Sequence, residues 1–105
     1  MKDAPKISGK IENITVNEGQ DAILIVKFTG KPKPLIKWFK EEILIDTTII
    51  ESFEQIDLED SSTLIIKSVK NESSGSYYTQ LSNEVATINS NKALVVVNSM
   101  WIGIL

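Results

Sequence analysis

An all-β chain folded as a sandwich of two antiparallel sheets is what this sequence predicts, and three observations carry the prediction. Apolar and polar residues alternate over short runs, turn-forming residues punctuate those runs, and no helical period lasts beyond a turn. The chain has 105 residues, enough for one hydrophobic core and too few for two.

The elements follow in order. Ile14 to Val16 is extended and is closed by Asn17-Glu18-Gly19, a turn signal. Ala22, Leu24, Val26 and Phe28 then point to one side, up to Gly30 and the Pro32/Pro34 pair. Prolines cannot donate to a central ladder, so this pair belongs in a connection. Ile36 and Trp38 are the inward residues of the next strand, and Ile43-Leu44-Ile45 is a short segment after it. From Ile49 to Leu58 the register is open; Phe53 and Ile56 are out of phase, which predicts a bulge or bend. Leu64, Ile66 and Val69 make the next inner row, followed by Tyr77, Thr79 and Leu81, then Ala93, Val95 and Val97. Residues 1–98 are read as the domain. Residues 99–105, with Met100, Trp101, Ile102, Ile104 and Leu105, are read as an apolar tail, a linker remnant or a cloning artefact.

Composition excludes several chemistries. The sequence contains no histidine, cysteine or arginine. Without His or Cys there is no conventional zinc site, no thiol nucleophile and no Ser-His-Asp arrangement. Without Arg there is no guanidinium fork for phosphate or guanine, and the net charge of −3 opposes binding to a polyanion. No nucleic acid, no membrane, no cofactor and no metal are therefore expected; no apolar run approaches the roughly 18 residues of a membrane span. Nothing between Met1 and Gly19 reads as a signal peptide.

Residues 41–60 carry −8 with no lysine, whereas Lys31, Lys33, Lys37 and Lys40 lie just before them. Such a dipole biases orientation toward a charged partner, or simply forms a solvated face. Asp57, Glu59 and Asp60 lack the glycine-centred twelve-residue loop of a calcium site. Glu41 and Glu42, adjacent on an exposed turn, are not expected to face a common pocket, so no catalytic residue is assigned.

Several short motifs recur in a familiar order. They run from Ala4-Pro5-Lys6-Ile7 and Val16-Asn17-Glu18-Gly19 through Leu24 to Gly30 and the prolines to Trp38. Thr63-Leu64-Ile65-Ile66, Gly75-Ser76-Tyr77 and Ser82-Asn83-Glu84 complete the set. Together, over about residues 4–98, they resemble the intermediate-set immunoglobulin domains strung along giant muscle proteins of the titin, twitchin and obscurin type. The resemblance implies an immunoglobulin-like Greek-key sandwich of about seven to nine strands. It makes Trp38 the large body between the sheets and Tyr77 a tyrosine corner tied to the backbone upstream, with Gly75 in a turn conformation a side chain resists. It places the family's two cysteine positions at Val26 and Thr79, so the inter-sheet disulfide, whose loss costs about 2–5 kcal/mol, cannot form. Ser73 stands where the family usually has aspartate, and the Thr79 hydroxyl must find a partner. The structural core is thus expected around Trp38, Tyr77, Val26, Thr79 and Leu64.

The resemblance further implies a non-catalytic spacer and docking unit of a sarcomeric or cytoskeletal protein. It implies a protein partner, neighbouring domains in a longer chain and a cytoplasmic location, which the absence of cysteine fits. The alternative is an extracellular adhesion or receptor domain, and two glycosylation sequons, Asn13-Ile14-Thr15 and Asn71-Glu72-Ser73, favour it. A hydrolase on this scaffold would need a pocket of convergent polar groups, which the sequence does not suggest.

Alternation also gives the candidate interface. With Trp38 and Tyr77 inward, Phe39, Tyr78, Leu94 and Val96 point outward on three neighbouring strands, an exposed apolar patch flanked by Lys37. Such patches serve as protein contacts or simply support the sheet. Outward Ile23, Ile25 and Ile65 on the opposite sheet, and strand addition at an edge, are further routes.

Overall fold

The computed structural model describes residues 2–46 and 52–98. The described residues form ten strands: β1 (Asp3–Ser8), β2 (Ile14–Asn17), β3 (Ala22–Lys31), β4 (Leu35–Lys40), β5 (Ile43–Leu44), β6 (Phe53–Asp57), β7 (Ser61–Ile66), β8 (Gly75–Ser82), β9 (Thr87–Asn89) and β10 (Ala93–Asn98). One sheet has the order β1-β3-β7-β6; the other runs β2-β10-β8-β4-β5, with β9 also paired to β8. The count exceeds the expected seven to nine because the first stretch splits into β1 and β2 on different sheets. The β8 hairpin also adds β9 before β10. Most pairings are antiparallel, but β2 runs parallel to β10, with Val96 opposite Thr15. The tail 99–105 and the start of the stretch with open register lie outside the described residues.

The expected bulge between Phe53 and Ile56 is absent. β6 pairs residue for residue with β7, from Phe53 opposite Ile66 to Asp57 opposite Ser62. Phe53 and Gln55 share the inner side, Gln55 reaching the Ile36 carbonyl at 3.2 Å, while Ile56 is 40% exposed. An apolar residue on the outer face, not an extra residue, put the pattern out of phase. The irregular register lies instead in β1, between Asp3 and Lys6.

The inner rows are where alternation puts them. Trp38, Tyr77, Leu64, Val26 and Thr79 are all fully buried, along with Leu24, Phe28, Ile66, Leu81 and Val95. Burying one such aliphatic side chain is worth about 1.5–3 kcal/mol. The polar atoms among them are all partnered. Trp38 Nε1–H donates to Ser62 Oγ at 3.1 Å, and the Ser62 hydroxyl donates to Asp57 Oδ1 at 2.6 Å. This chain joins β4 of one sheet to β7 and β6 of the other. At the two positions where the resemblance implies cysteine, Val26 packs and the Thr79 hydroxyl donates to the Lys37 carbonyl at 2.8 Å. Among the described residues no buried side-chain nitrogen or oxygen lacks a partner.

Tyr77 closes one end. Its hydroxyl donates to the Ser73 carbonyl at 2.6 Å, in a single 3-10 turn over Asn71–Ser73. Ser73, where the resemblance implies aspartate, makes a local tie of its own: its Oγ accepts the Lys70 N–H at 3.0 Å. Gly75 has φ of +152°, and a Cβ there would sit 3.3 Å from Lys40 Cε. Burial first, and then the negative charge of Glu41, hold the Tyr77 phenol well above the ordinary tyrosine range.

The opposite end is held by Asn83. Its Nδ2 donates to the carbonyls of Asp3 (2.7 Å), Pro32 (3.2 Å) and Lys31 (3.3 Å). Its Oδ1 accepts from the N–H groups of Val85 and Ala86 at 2.9 and 3.2 Å. β1 thus begins at this end, whereas β10 finishes beside the Asn17–Gln20 turn at the other, where Asn98 O accepts from Glu18 N at 2.8 Å.

Two outcomes test this account of the core. Ser62→Ala removes the acceptor for a buried indole N–H and is expected to cost about 1–3 kcal/mol, read from the urea midpoint at unchanged m. Tyr77→Phe is expected to cost about 1–2 kcal/mol near neutrality. The raised phenol pKa means the folded state keeps a proton that the unfolded chain releases above about pH 10. That stabilisation is complete below this pH and declines as pH rises further, by up to about 1.4 kcal/mol per unit. Denaturation at alkaline pH should therefore show the gap between wild type and Tyr77→Phe narrowing; a constant gap contradicts the assignment.

Candidate functional site

Strand pairing turns the alternation of β4, β8 and β10 into rows across the outer face of the larger sheet. Phe39 lies opposite Tyr78, and Leu44 of β5 lies opposite Phe39. Ala93 opposite Tyr77 brings Lys92 beside Tyr78. The central row therefore reads Leu44, Phe39, Tyr78, Lys92. The two rings are stacked, centroids 5.0 Å apart and planes 6° from parallel. The Lys92 ammonium stands 6.0 Å from the Tyr78 ring centroid on the other side, within cation–π range. Both rings are half-buried by this comb of side chains, while Leu44 is 50% exposed.

One row away on β4 and β8, exposed Lys37 lies opposite Gln80. On the other side of the central row, Glu41 and Leu94 both lie against Ser76: Glu41 N donates to Ser76 O, and Leu94 is its ladder partner. Val96 is a further row along, beyond Gly75 and opposite Thr15. The structure thus brings Phe39 and Tyr78 into contact, with Lys37 two residues from Phe39. Leu94 and Val96, 46% and 39% exposed, lie diagonally off on an aliphatic strip of their own. Leu44 and Lys92 were missed by sequence reasoning. The signal that could have found them is register, which needs the partner strand and not only the alternation within one strand.

Glu41 and Glu42 form the two-residue turn between β4 and β5, both left-handed at φ of +49° and +68°. That is the twist a tight hairpin requires, met here by residues that adopt it unwillingly. The expectation that they share no pocket is overturned. Both line a shallow depression of about 240 Å³ with Ser76, Tyr78 and Lys92. The turn folds Glu41 back, so that its Oε2 accepts the Ser76 N–H at 2.8 Å. With no histidine or thiol in the chain, this depression offers carboxylates, hydroxyls and one ammonium; it suits a cationic or hydrogen-bonding group.

Elsewhere, Asp57 is engaged by Ser62 and Gln55. Among the described residues no group of three or more His, Cys, Asp or Glu side chains is placed to hold a metal ion. On the smaller sheet Ile23 and Ile25 are about half exposed, with Ile65 opposite Ile23 and Thr63 opposite Ile25. No helix among the described residues is long and apolar enough to cross a membrane.

Comparison with known proteins agrees with this architecture. The model of the immunoglobulin I-set domain matches residues 5–97. The muscle M-line assembly protein unc-89 of Caenorhabditis elegans is 33% identical over 82 residues, which cover 78% of this chain and 1% of that protein. The limbic system-associated membrane protein of Gallus gallus is 34% identical over 94 residues, covering 90% of this chain and 25% of that protein. The chain therefore spans a small part of the relatives it matches. Among solved structures, titin domains z1z2 in complex with telethonin superpose with a TM-score of 0.87 at 23% identity, over 94% of this chain and 50% of that one.

The turn gives a direct test of its backbone. Glu42→Gly removes a Cβ from a left-handed position and is expected to stabilise the fold by about 0.5–1 kcal/mol in urea denaturation. Glu42→Ala, which keeps the Cβ, should give no such gain.

Proposed function

Because the chain belongs to the immunoglobulin I-set family, we propose that residues 1–98 form a non-catalytic spacer and protein-docking module of a sarcomeric or cytoskeletal protein. The observation that carries this reading is a closed core without sulfur: Val26 and Thr79 are buried where a disulfide would be, and the Thr79 hydroxyl has its own acceptor. A sandwich that needs no oxidation suits the reducing cytoplasm. The muscle M-line relative supports the same setting. That titin domains of this fold occur in complex with telethonin supports a docking role.

As a spacer the module works in series. The chain enters at the Asn83 end and leaves β10 at the other, so tension applied through the two ends loads the parallel β2–β10 ladder along its length. As a docking unit it uses the outer face of the larger sheet, where Phe39 and Tyr78, with Lys37 beside them and Leu94 and Val96 farther out, combine aromatic area with charge. The expected result is that Phe39→Ala with Tyr78→Ala keeps the circular dichroism and cooperative unfolding of the wild type. It should lose capture of an identified sarcomeric protein from muscle lysate. Undiminished capture by the folded double variant removes this face from the role.

The second reading, an extracellular adhesion domain, draws on the membrane-protein relative and on exposed Asn13 and Asn71. Glycan on either asparagine in native material, detected by mass spectrometry, would decide for it.

A further inference from the structure

The charges on the outer face of the larger sheet are arranged symmetrically about one row. Lys37 on β4 and Glu41 in the turn that follows it lie two residues to either side of Phe39. Gln80 and Ser76 lie two residues to either side of Tyr78. Opposed charges and opposed hydrogen-bonding groups thus flank an apolar line made by Leu44, Phe39 and Tyr78.

When two copies meet face to face, a two-fold axis lies in the plane between them. An axis along the Leu44–Phe39–Tyr78 line sets each of those residues on its own counterpart. It also exchanges the two flanks, so Lys37 of each copy meets Glu41 of the other, and Gln80 meets Ser76. Such self-complementarity is what an isologous interface requires. The depression lined by Glu41, Glu42, Ser76, Tyr78 and Lys92 sets two carboxylates against one ammonium, which leaves negative charge for the Lys37 ammonium, and Glu41 retains a second carboxylate oxygen beyond the one bound to Ser76 N–H. Lys92 falls on the same line at its outer end and so meets its own counterpart, a like-charge contact eased by its exposure to water and by the Tyr78 ring, and one that weakens the pairing.

We infer that this face binds a second copy of the same domain, paired by Lys37–Glu41 contacts across a central Phe39–Tyr78 row. The inference rests on the reading of this face as a docking surface and names its partner. Strands about 4.8 Å apart and six residues long give a face of roughly 400–500 Å², against the ~800 Å² per partner of a standard interface. The dimer is accordingly weak and rapidly exchanging.

Sedimentation velocity and chemical-shift titration from micromolar to millimolar concentration test this. Wild type should self-associate, with shifts at Phe39 and Tyr78. Lys37→Glu alone and Glu41→Lys alone each bring like charges together twice and should weaken association by roughly tenfold or more. A one-to-one mixture of these two variants restores both opposite-charge contacts and should associate at least as well as wild type. If Glu41→Lys fails to fold for want of the Ser76 contact, Glu42→Lys, lining the same depression, takes its place in the mixture. A wild type that stays monomeric at millimolar concentration overturns the inference. So does a dimer indifferent to the charge reversals, or a mixture that does not recover. In each of those cases the docking reading stands or falls separately, on capture of a sarcomeric protein by wild type and by the Phe39→Ala/Tyr78→Ala variant.

Discussion

One hydrogen bond organises the molecule: the indole N–H of Trp38 on the larger sheet, donated to Ser62 of the smaller. A buried indole without an acceptor is costly, so the serine must face it, and Asp57 in turn orients the serine. That relay fixes the approach of β4 to β7 and β6, and with it the parity of every residue on β4. Once Trp38 is inward, Lys37 and Phe39 are outward, and a slip of one residue would turn the whole set over. The tie crosses between the sheets one strand away from Val26, which pairs with Ser62, and from Thr79, which pairs with Trp38. It constrains direction as well as distance, since a hydrogen bond of this kind demands both.

Much of this was legible in the sequence, and what was not has a physical pattern. Alternation placed Trp38, Tyr77, Thr79 and Leu64 inward, because a period of two has one reading when one face is buried. The motifs placed Tyr77 at its corner, where its hydroxyl meets Ser73 O. Alternation failed at Ile56, where an exposed aliphatic imitates a bulge; Glu41 and Glu42 are exposed as read, but the spacing did not show that the left-handed turn ties Glu41 back to the Ser76 N–H. It was silent on the Trp38–Ser62–Asp57 relay and on the Lys92–Tyr78 contact. Both join residues from different segments of the chain, and pairing across segments leaves no mark in the spacing along one.

The same limit shaped the candidate site. Listing outward residues on three adjacent strands joins Phe39, Tyr78, Leu94 and Val96, but neighbourhood across a sheet depends on register as well as parity. The pairing of Ala93 with Tyr77 puts Lys92, not Leu94, next to Tyr78. The central feature of the face is consequently narrower and more polar at its ends than an apolar patch, with a stacked pair of rings at its middle and charge on both flanks.

The two ends of the sandwich are closed by different devices. At the β10 exit, Tyr77, Ser73 and Gly75 form a corner dependent on one phenol and a residue without a Cβ. At the β1 entry, a single asparagine gathers three carbonyls and two amides from three segments of chain. Asp3 is tied twice, through its carbonyl to Asn83 and in the β1–β3 ladder to Lys31, whereas Asn98 is held in the β2–β10 ladder opposite Asn17. The parallel pair fixes β10 at the edge of the larger sheet and the tryptophan relay fixes that sheet against the smaller, so that the outer face they position keeps its register.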